Sequence, residues 1–315
     1  MDFKVISDSR CLKHETPLYH PESKQRFLTV ERALREKGLL NISDLPTPRL
    51  AAMEDLLLCH SPQYITTLTH EIERLREGEI NLLSTGDVWI SPFSFLAAKA
   101  AAGSMLAAAD HIMGGYCRKV FVNARPPGHH ATSDAGMGFC LINNVAVAAA
   151  HLLYRHHLQR LLVIDWDVHH GNGTQDIFYR DPRVFYFSTH QEGIYPGTGL
   201  ASEQGEGEGA GTTMNRPVAA GNGAFAKIQS AFQDLEEAME KYQPQFVLIS
   251  AGFDAHELDP LGGLKLKTED FGWMTTRACL LAKRYAEGRI ISVLEGGYSL
   301  DGLYSSINIH LEGLI

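Results

Sequence analysis

Five short apolar runs constrain this chain more than any other feature. They span residues 119–123, 161–165, 184–188, 246–250 and 290–294, and Val, Ile, Leu and Phe dominate them. A strand with one wet face alternates polar and apolar residues. Runs this uniformly apolar read as parallel strands buried on both faces. Helical stretches lie between them: 62–77, capped by Ser61 with Pro62 at the first helical position, then 143–157, 224–241 and 268–286. The Ala-rich stretch 93–113 carries Lys99, Asp110 and His111, so it reads as a buried helix and not a membrane span. Alternating strands and helices predict an α/β fold, a mostly parallel sheet between helix layers. With 315 residues, 44% of them hydrophobic, a single domain over residues 1–315 has ample core. The Gly-rich segment 205–211 neither follows a strand nor opens a helix, so a tight loop is expected there, not a phosphate cradle.

Ligands of such a sheet bind beyond the carboxyl ends of its strands. The residues just after each run are therefore informative. Residues 125–131 read Arg-Pro-Pro-Gly-His-His-Ala, and 166–173 read Trp-Asp-Val-His-His-Gly-Asn-Gly. Thr189 and His190 come after the third run and lead to Tyr195-Pro196-Gly197. Ala-Gly-Phe-Asp254-Ala-His256 comes after the fourth, and Glu295-Gly-Gly-Tyr298 after the fifth. The chain has 15 histidines, and these strand ends collect several of them at one rim.

Composition narrows the partners. With 28 basic and 37 acidic side chains the net charge is −9, which argues against direct nucleic-acid binding. Five scattered cysteines with no Cys-x-x-Cys pair suggest a reducing compartment and no cysteine zinc knuckle. The N-terminal residues resemble neither a signal nor a transit peptide, and no dense basic cluster argues for nuclear entry. A cytoplasmic protein with no membrane partner is expected.

Asp167 and His169 stand two apart and can face one cation, with Asp254 from another strand end as the best third donor. Three protein ligands leave a position for water, the arrangement of a catalytic site. Two carboxylates and one imidazole suit zinc, with iron or manganese open. Alternatively, Asp167 and His169 cap the next helix. The stiff Pro126-Pro127-Gly128 turn holds His129 and His130 as candidate proton-transfer groups, with Asp165 and Asn172 as orienting partners. Tyr298 is a candidate oxyanion donor or else a packed loop tyrosine. Phe139, after Gly138, and Tyr195 are candidate aromatic walls of a slot. The pair His156-His157 sits in a polar run with no strand before it and receives no role.

These motifs, in this order and over nearly the whole chain, resemble the zinc-dependent histone deacetylase family. The style is closest to its class II branch and to the bacterial acetylpolyamine amidohydrolases and acetoin-utilization proteins. Met-Gly-Phe-Cys at 137–140, Tyr-Pro-Gly-Thr-Gly at 195–199 and His20-Pro21-Glu22 fit as well. The resemblance implies a three-layer arginase/deacetylase-like fold with about eight strands. It implies one catalytic zinc on Asp167, His169 and Asp254. His130 becomes general base and then acid, His129 paired with Asp165 an electrostatic partner, and Tyr298 the carbonyl-polarising donor. Phe139 and Tyr195 become walls of an acyl-lysine tunnel. It also implies one or two structural potassium ions: Asp165, Asp167, His169, Ser188 and Thr189 match an inner site, and Phe178, Asp181 and Val184 an outer one. Asn172 stands where class I members carry Asp.

The expected reaction is hydrolysis of the acyl amide of lysine in a peptide or protein. Polyamine-preferring relatives carry Glu after the Asp-Pro that comes after the third ligand. Here Leu261 follows Asp259-Pro260 and offers no charge for a distal ammonium. Asp87 is expected either on the rim, accepting substrate backbone hydrogen bonds, or as a loop cap. The alternatives are an acetylpolyamine or other small-amide deacetylase, a non-catalytic acyl-lysine binding module and, within the fold, a two-manganese ureohydrolase. Intact His130 and Tyr298 speak against the binding module. No additional bridging carboxylates appear for the ureohydrolase.

Overall fold

The computed structural model describes residues 2–40 and 47–315. In chain order the elements are β1 (Phe3–Ser7), α1 (Lys24–Glu36), α2 (Met53–Leu56), α3 (Pro62–Glu73), β2 (Asn81–Leu82), β3 (Trp89–Ile90), α4 (Ser94–Met113) and β4 (Lys119–Asn123). Then come α5 (Asn144–Tyr154), β5 (Leu161–Asp165), α6 (Asn172–Phe178), β6 (Val184–Gln191) and β7 (Thr213–Val218). The chain ends with α7 (Ala224–Tyr242), β8 (Phe246–Ala251), α8 (Thr268–Tyr285), β9 (Ile290–Leu294) and α9 (Leu300–Leu314).

Among the described residues seven strands form one sheet in the order β1-β4-β9-β8-β5-β6-β7, every neighbouring pair parallel. That is one strand fewer than the eight or so implied by the resemblance; β2 and β3 form a separate two-stranded ribbon. Alternate residues of each strand feed opposite cores, as the period of two requires. Leu161 and Val163 join one cluster with α3, α4 and α5; Leu162 and Ile164 join the other with α1, α7, α8 and α9. This is the sheet between two helix layers that the sequence predicts.

The strand order changes direction at β5. From β5 the chain runs outward through β6 to β7, then returns with β8 on the other side of β5. Open α/β sheets bind their ligands at such a switch point. Asp165 and Ser250 are register partners there, so the loops after β5 and β8 leave side by side.

Local chemistry explains the helix limits. Ser61 Oγ accepts from Tyr64 N at 3.2 Å, and Pro62 opens α3. The helix stops at Glu73, short of 77; likewise α5 starts on the Asn143 cap and stops at Tyr154, short of 157. A left-handed turn at His157, φ +57°, belongs to the bend beyond it. The 93–113 stretch is α4, largely buried, as expected. Residues 205–211 form a tight loop with Gly205, Gly207 and Gly211 at positive φ. All five cysteines are free thiols. Among the described residues no helix is long and apolar enough to cross a membrane.

Candidate active site

Four loops, after β4, β5, β8 and β9, meet above the switch point. The turn after β4 is held by Glu295, whose Oε2 accepts from Gly128 N at 2.6 Å and His129 N at 3.2 Å. Burial raises the Glu295 carboxyl to about 7. Buried Arg26, from α1, donates to the carbonyls of Glu295 and Gly297, and Glu22 Oε1 accepts from Arg125 Nε at 2.7 Å. This network ties α1 to both histidine and tyrosine loops. Glu22 and Glu295 lie inside recognisable sequence motifs, but nothing local to those motifs gives them a task; Arg26 has no sequence signal at all.

His129 and His130 lie side by side, ring centroids 4.0 Å apart. His129 Nδ1 is 3.0 Å from Asp165 Oδ2, and His130 Nδ1 is 2.7 Å from Asn172 Oδ1. Both orienting partners are therefore those expected. Their environments push the two rings apart. Burial disfavours a charge on His129, yet Asp165 and Asp167 outweigh it and raise the imidazole to about 10. His130 falls well below its usual range, through burial and the neighbouring His129 and His169. One histidine is held as a cation and the other neutral, the separation that marks an acid/base pair. Gly138 is required beside them: a Cβ there would overlap the His130 ring, and its φ is +55°.

The expected donors also converge. His169 Nδ1 lies 3.0 Å from Asp167 Oδ1 and 3.2 Å from Asp254 Oδ2. The three residues are buried and offer one ligand atom each, all within 4.8 Å. Asp254 Oδ1 accepts from Val168 N and Asp167 Oδ2 from Gly296 N, both at 2.8 Å, while Asp167 Oδ1, which faces the His169 ring, also accepts from His169 N at 3.0 Å. Asp254 Oδ2 is buried and receives no directional hydrogen bond. Burial and the charge of Asp167 raise Asp254 to about 7. His129 and His169 hold Asp167 low against burial. An orphaned carboxylate oxygen, a second carboxylate and an imidazole nitrogen facing one point fit a divalent cation. The reading of Asp167 and His169 as mere helix caps does not hold: α6 begins at Asn172, and both side chains turn toward Asp254.

Tyr298 lies near enough to Asp254 and Asp167 for their charges to act on its phenol. Its backbone N donates to Asp259 Oδ2 at 2.6 Å, Ser299 N donates to the same oxygen, and the Arg26 guanidinium lies 4.9 Å from the ring centroid. Burial, with Asp254 and Asp167 nearby, keeps the phenol protonated well above its usual range. The Phe139 ring meets Tyr298 edge-on at 5.8 Å and His20 at 4.6 Å. The Tyr195 ring stands at 90° to His130 with centroids 5.1 Å apart. Asp87 Oδ1 accepts from Gly138 N at 2.8 Å and from Tyr195 Oη at 3.2 Å, bridging two of the expected lining residues. Leu261 N donates to Asp259 Oδ1 at 3.0 Å, so the same carboxylate anchors Leu261 and the Tyr298 loop.

Among the residues matched to the inner potassium, Asp167 and His169 are themselves donors of the cation cluster. Asp165 and Ser188 are register partners on β5 and β6, and Thr189 Oγ1 is buried without a partner. In the outer group, Asp181 N donates to Phe178 O, and the Asp181 carboxylate is taken by Arg183 at 2.6 Å. Phe178, Asp181 and Val184 therefore offer main-chain oxygens only.

A sequence profile of the histone deacetylase domain matches residues 20–314. The chain is 38% identical over 307 residues to a probable deacetylase of Archaeoglobus fulgidus, covering 97% of this chain and 84% of that one. It is 38% identical over 287 residues to a histone deacetylase-like amidohydrolase of Pseudomonas aeruginosa, covering 89% and 72%. A crystal structure of the HDA15 HD domain is similar with a TM-score of 0.89 at 33% identity, covering 99% of this chain and 90% of that one.

Proposed function

This chain belongs to the histone deacetylase family of deacetylases and amidohydrolases, and we propose that it is a zinc-dependent hydrolase removing acetyl or other acyl groups from acyl-lysine side chains in peptides or proteins. One observation carries the reading: a buried two-carboxylate, one-imidazole donor set beside a neutral histidine and a protonated phenol. Asp167, His169 and Asp254 would hold the zinc, which would supply Lewis acidity toward the acyl carbonyl and the attacking water.

The chain's own residues do the rest. Asn172 Oδ1 accepts a hydrogen bond from His130 Nδ1, leaving Nε2 bare to take the proton of water. The cation on His129, balanced by Asp165, keeps His130 a weak base, so the proton is readily passed to the departing amine. The Tyr298 hydroxyl donates to the carbonyl oxygen as negative charge develops on it. Phe139 and Tyr195 flank the methylene stem, and Asp87 has Oδ2 left for substrate N–H groups, since its internal bonds fall on Oδ1. One or two structural potassium ions belong to this reading; the pairing of Asp165 with Ser188 across β5 and β6 supports the inner site better than the Arg183-bound Asp181 carboxylate supports the outer one. The proposed compartment is the cytoplasm, supported by five free thiols.

The half-exposed Leu261, 37% accessible, favours acyl-lysine over an acetylpolyamine because it offers a distal ammonium no charge. The test is hydrolysis of an acetyl-lysine peptide and of acetylspermidine, each with chelator and with zinc restored. Peptide turnover abolished by chelation and regained with zinc is expected. Turnover of acetylspermidine alone overturns the substrate assignment; activity indifferent to chelation overturns the zinc assignment; silence on both with zinc bound points to another acyl group or to the binding module.

A further inference from the structure

A second cluster of ligating side chains lies away from the rim. Asp110 is in the last turn of α4, His151 in the last turn of α5, and His156 in the bend beyond it. His151 Nε2 and His156 Nε2 each lie 2.7 Å from the same atom, Asp110 Oδ1. The two imidazole rings meet edge to face with centroids 5.2 Å apart. Among the described residues only this group and Asp167-His169-Asp254 bring three ligating atoms within 4.8 Å.

The cluster is built, not accidental surface proximity. His151 is 5% exposed, and its Nδ1 is buried with no partner, so the ring's polar contact is at Nε2, facing the cluster. Arg155 N and His156 N both donate to His151 O, and Leu158 N donates to Leu152 O, folding the bend back on the helix end. That fold sets the position of His156. Burial disfavours the charge on Asp110, yet its two histidine partners hold the carboxyl below its usual range, so it is an anion at neutral pH. The site is remote from catalysis. α5 begins beside the catalytic turn, where Asn144 Nδ2 donates to Pro126 O, and its 11 residues carry the far end ~16 Å away.

We propose that Asp110, His151 and His156 form a second divalent-cation site, for zinc or a similar borderline ion, clamping the C-terminal ends of α4 and α5. Two imidazole nitrogens and one carboxylate oxygen are the donor set such ions take, and half-exposed Asp110 leaves solvent positions to complete the coordination.

Equilibrium dialysis against zinc, with metal analysis, tests this on the wild type, His156→Ala, Asp254→Ala and the double variant. Two equivalents are expected in the wild type, one in each single variant and none in the double, with peptide turnover by His156→Ala within about twofold of wild type. Zinc added to metal-stripped Asp254→Ala should raise its melting temperature, and adding His156→Ala should abolish that rise. His156 lies in a bend at the surface; His156→Gln replaces the alanine variant should that one misfold. If zinc content and zinc-induced melting shift are indifferent to His156 in both backgrounds, the cluster is a hydrogen-bonded triad only. That outcome is independent of the catalytic assignment, which fails separately if Asp254→Ala retains every equivalent the wild type holds.

Discussion

Tyr298 shows how a single side chain divides stability from chemistry. Its hydroxyl is assigned to the developing oxyanion, while its position depends on Asp259 below and Arg26 beside it. Tyr298→Phe keeps both supports and removes one donor. The variant should fold, bind zinc as the wild type does, and lose ~10²–10³ in kcat, the usual cost of one oxyanion donor; steady-state kinetics with near-normal turnover would overturn the role. At this scale the sequence is legible where a residue follows a strand end. His129, His130, Asp165, Asp167, His169, Asp254 and Tyr298 all stand within a few residues of one, and the structure gathers them. Arg26 is illegible because its contacts with Gly297 and Glu295 lie about 270 residues along the chain, where no local pattern reaches. His156 lacks a preceding strand, the criterion that denies it a role in the sequence; its partners come from helix ends, which that criterion does not sense.

Elements are legible in proportion to their burial. Three interior strands, β4, β5 and β9, coincide with the apolar runs, and β6 and β8 extend them slightly. The two sheet strands without an apolar run, β1 and β7, are the sheet's two edges. An edge needs less apolar surface: β1 carries Lys4 and Ser7, and β7 carries Arg216 and Pro217, the proline that edges alone tolerate. Helices α1 and α9 also escape the sequence pattern. They are amphipathic, and α1 especially hides its buried Phe27, Val30 and Leu34 among charges. The buried helix α4 carries a prediction of its own. Gly→Ala inside a helix ordinarily stabilises by ~0.5–1 kcal/mol. At Gly103 a Cβ would overlap the Arg49 carbonyl, in the segment where Ala51 N donates to Lys99 O. Gly103→Ala should therefore destabilise by ~1–3 kcal/mol, as overpacking does. Gly272→Ala in α8, where the added carbon meets the flexible Ile309 side chain, should cost less. Urea midpoints compare the two, and a neutral Gly103→Ala would contradict the packing described.

The whole molecule buries histidines on a scale that links its stability to pH. His14, His190 and His310 are pushed down to about 3, and His60 and His170 to about 4, chiefly by burial. Below pH 6.5 the unfolded chain takes up protons that the folded rings refuse, so stability is lost as pH falls from about 6.5 toward 3. His310 is buried against the Trp166 and Phe253 rings and hydrogen-bonds Thr275 Oγ1 and Ser292 Oγ, at 2.6 and 2.8 Å. His310→Gln should flatten the fall in unfolding free energy between pH 6 and 4 by up to ~1.4 kcal/mol per pH unit, one proton's share. Urea titrations at several pH values measure it; an unchanged slope would mean that His310 titrates in the folded state. The sheet's reversal at β5 has one more consequence, on the time axis of synthesis. Asp167 and His169 leave the ribosome early, and Asp254 follows 254 − 169 = 85 residues later. At ~5–20 residues per second, a nascent chain spends about 4–17 s with two donors of three. The donor set closes only when β8 slots in beside β5, so selective metal loading belongs to the finished sheet and not to the emerging chain.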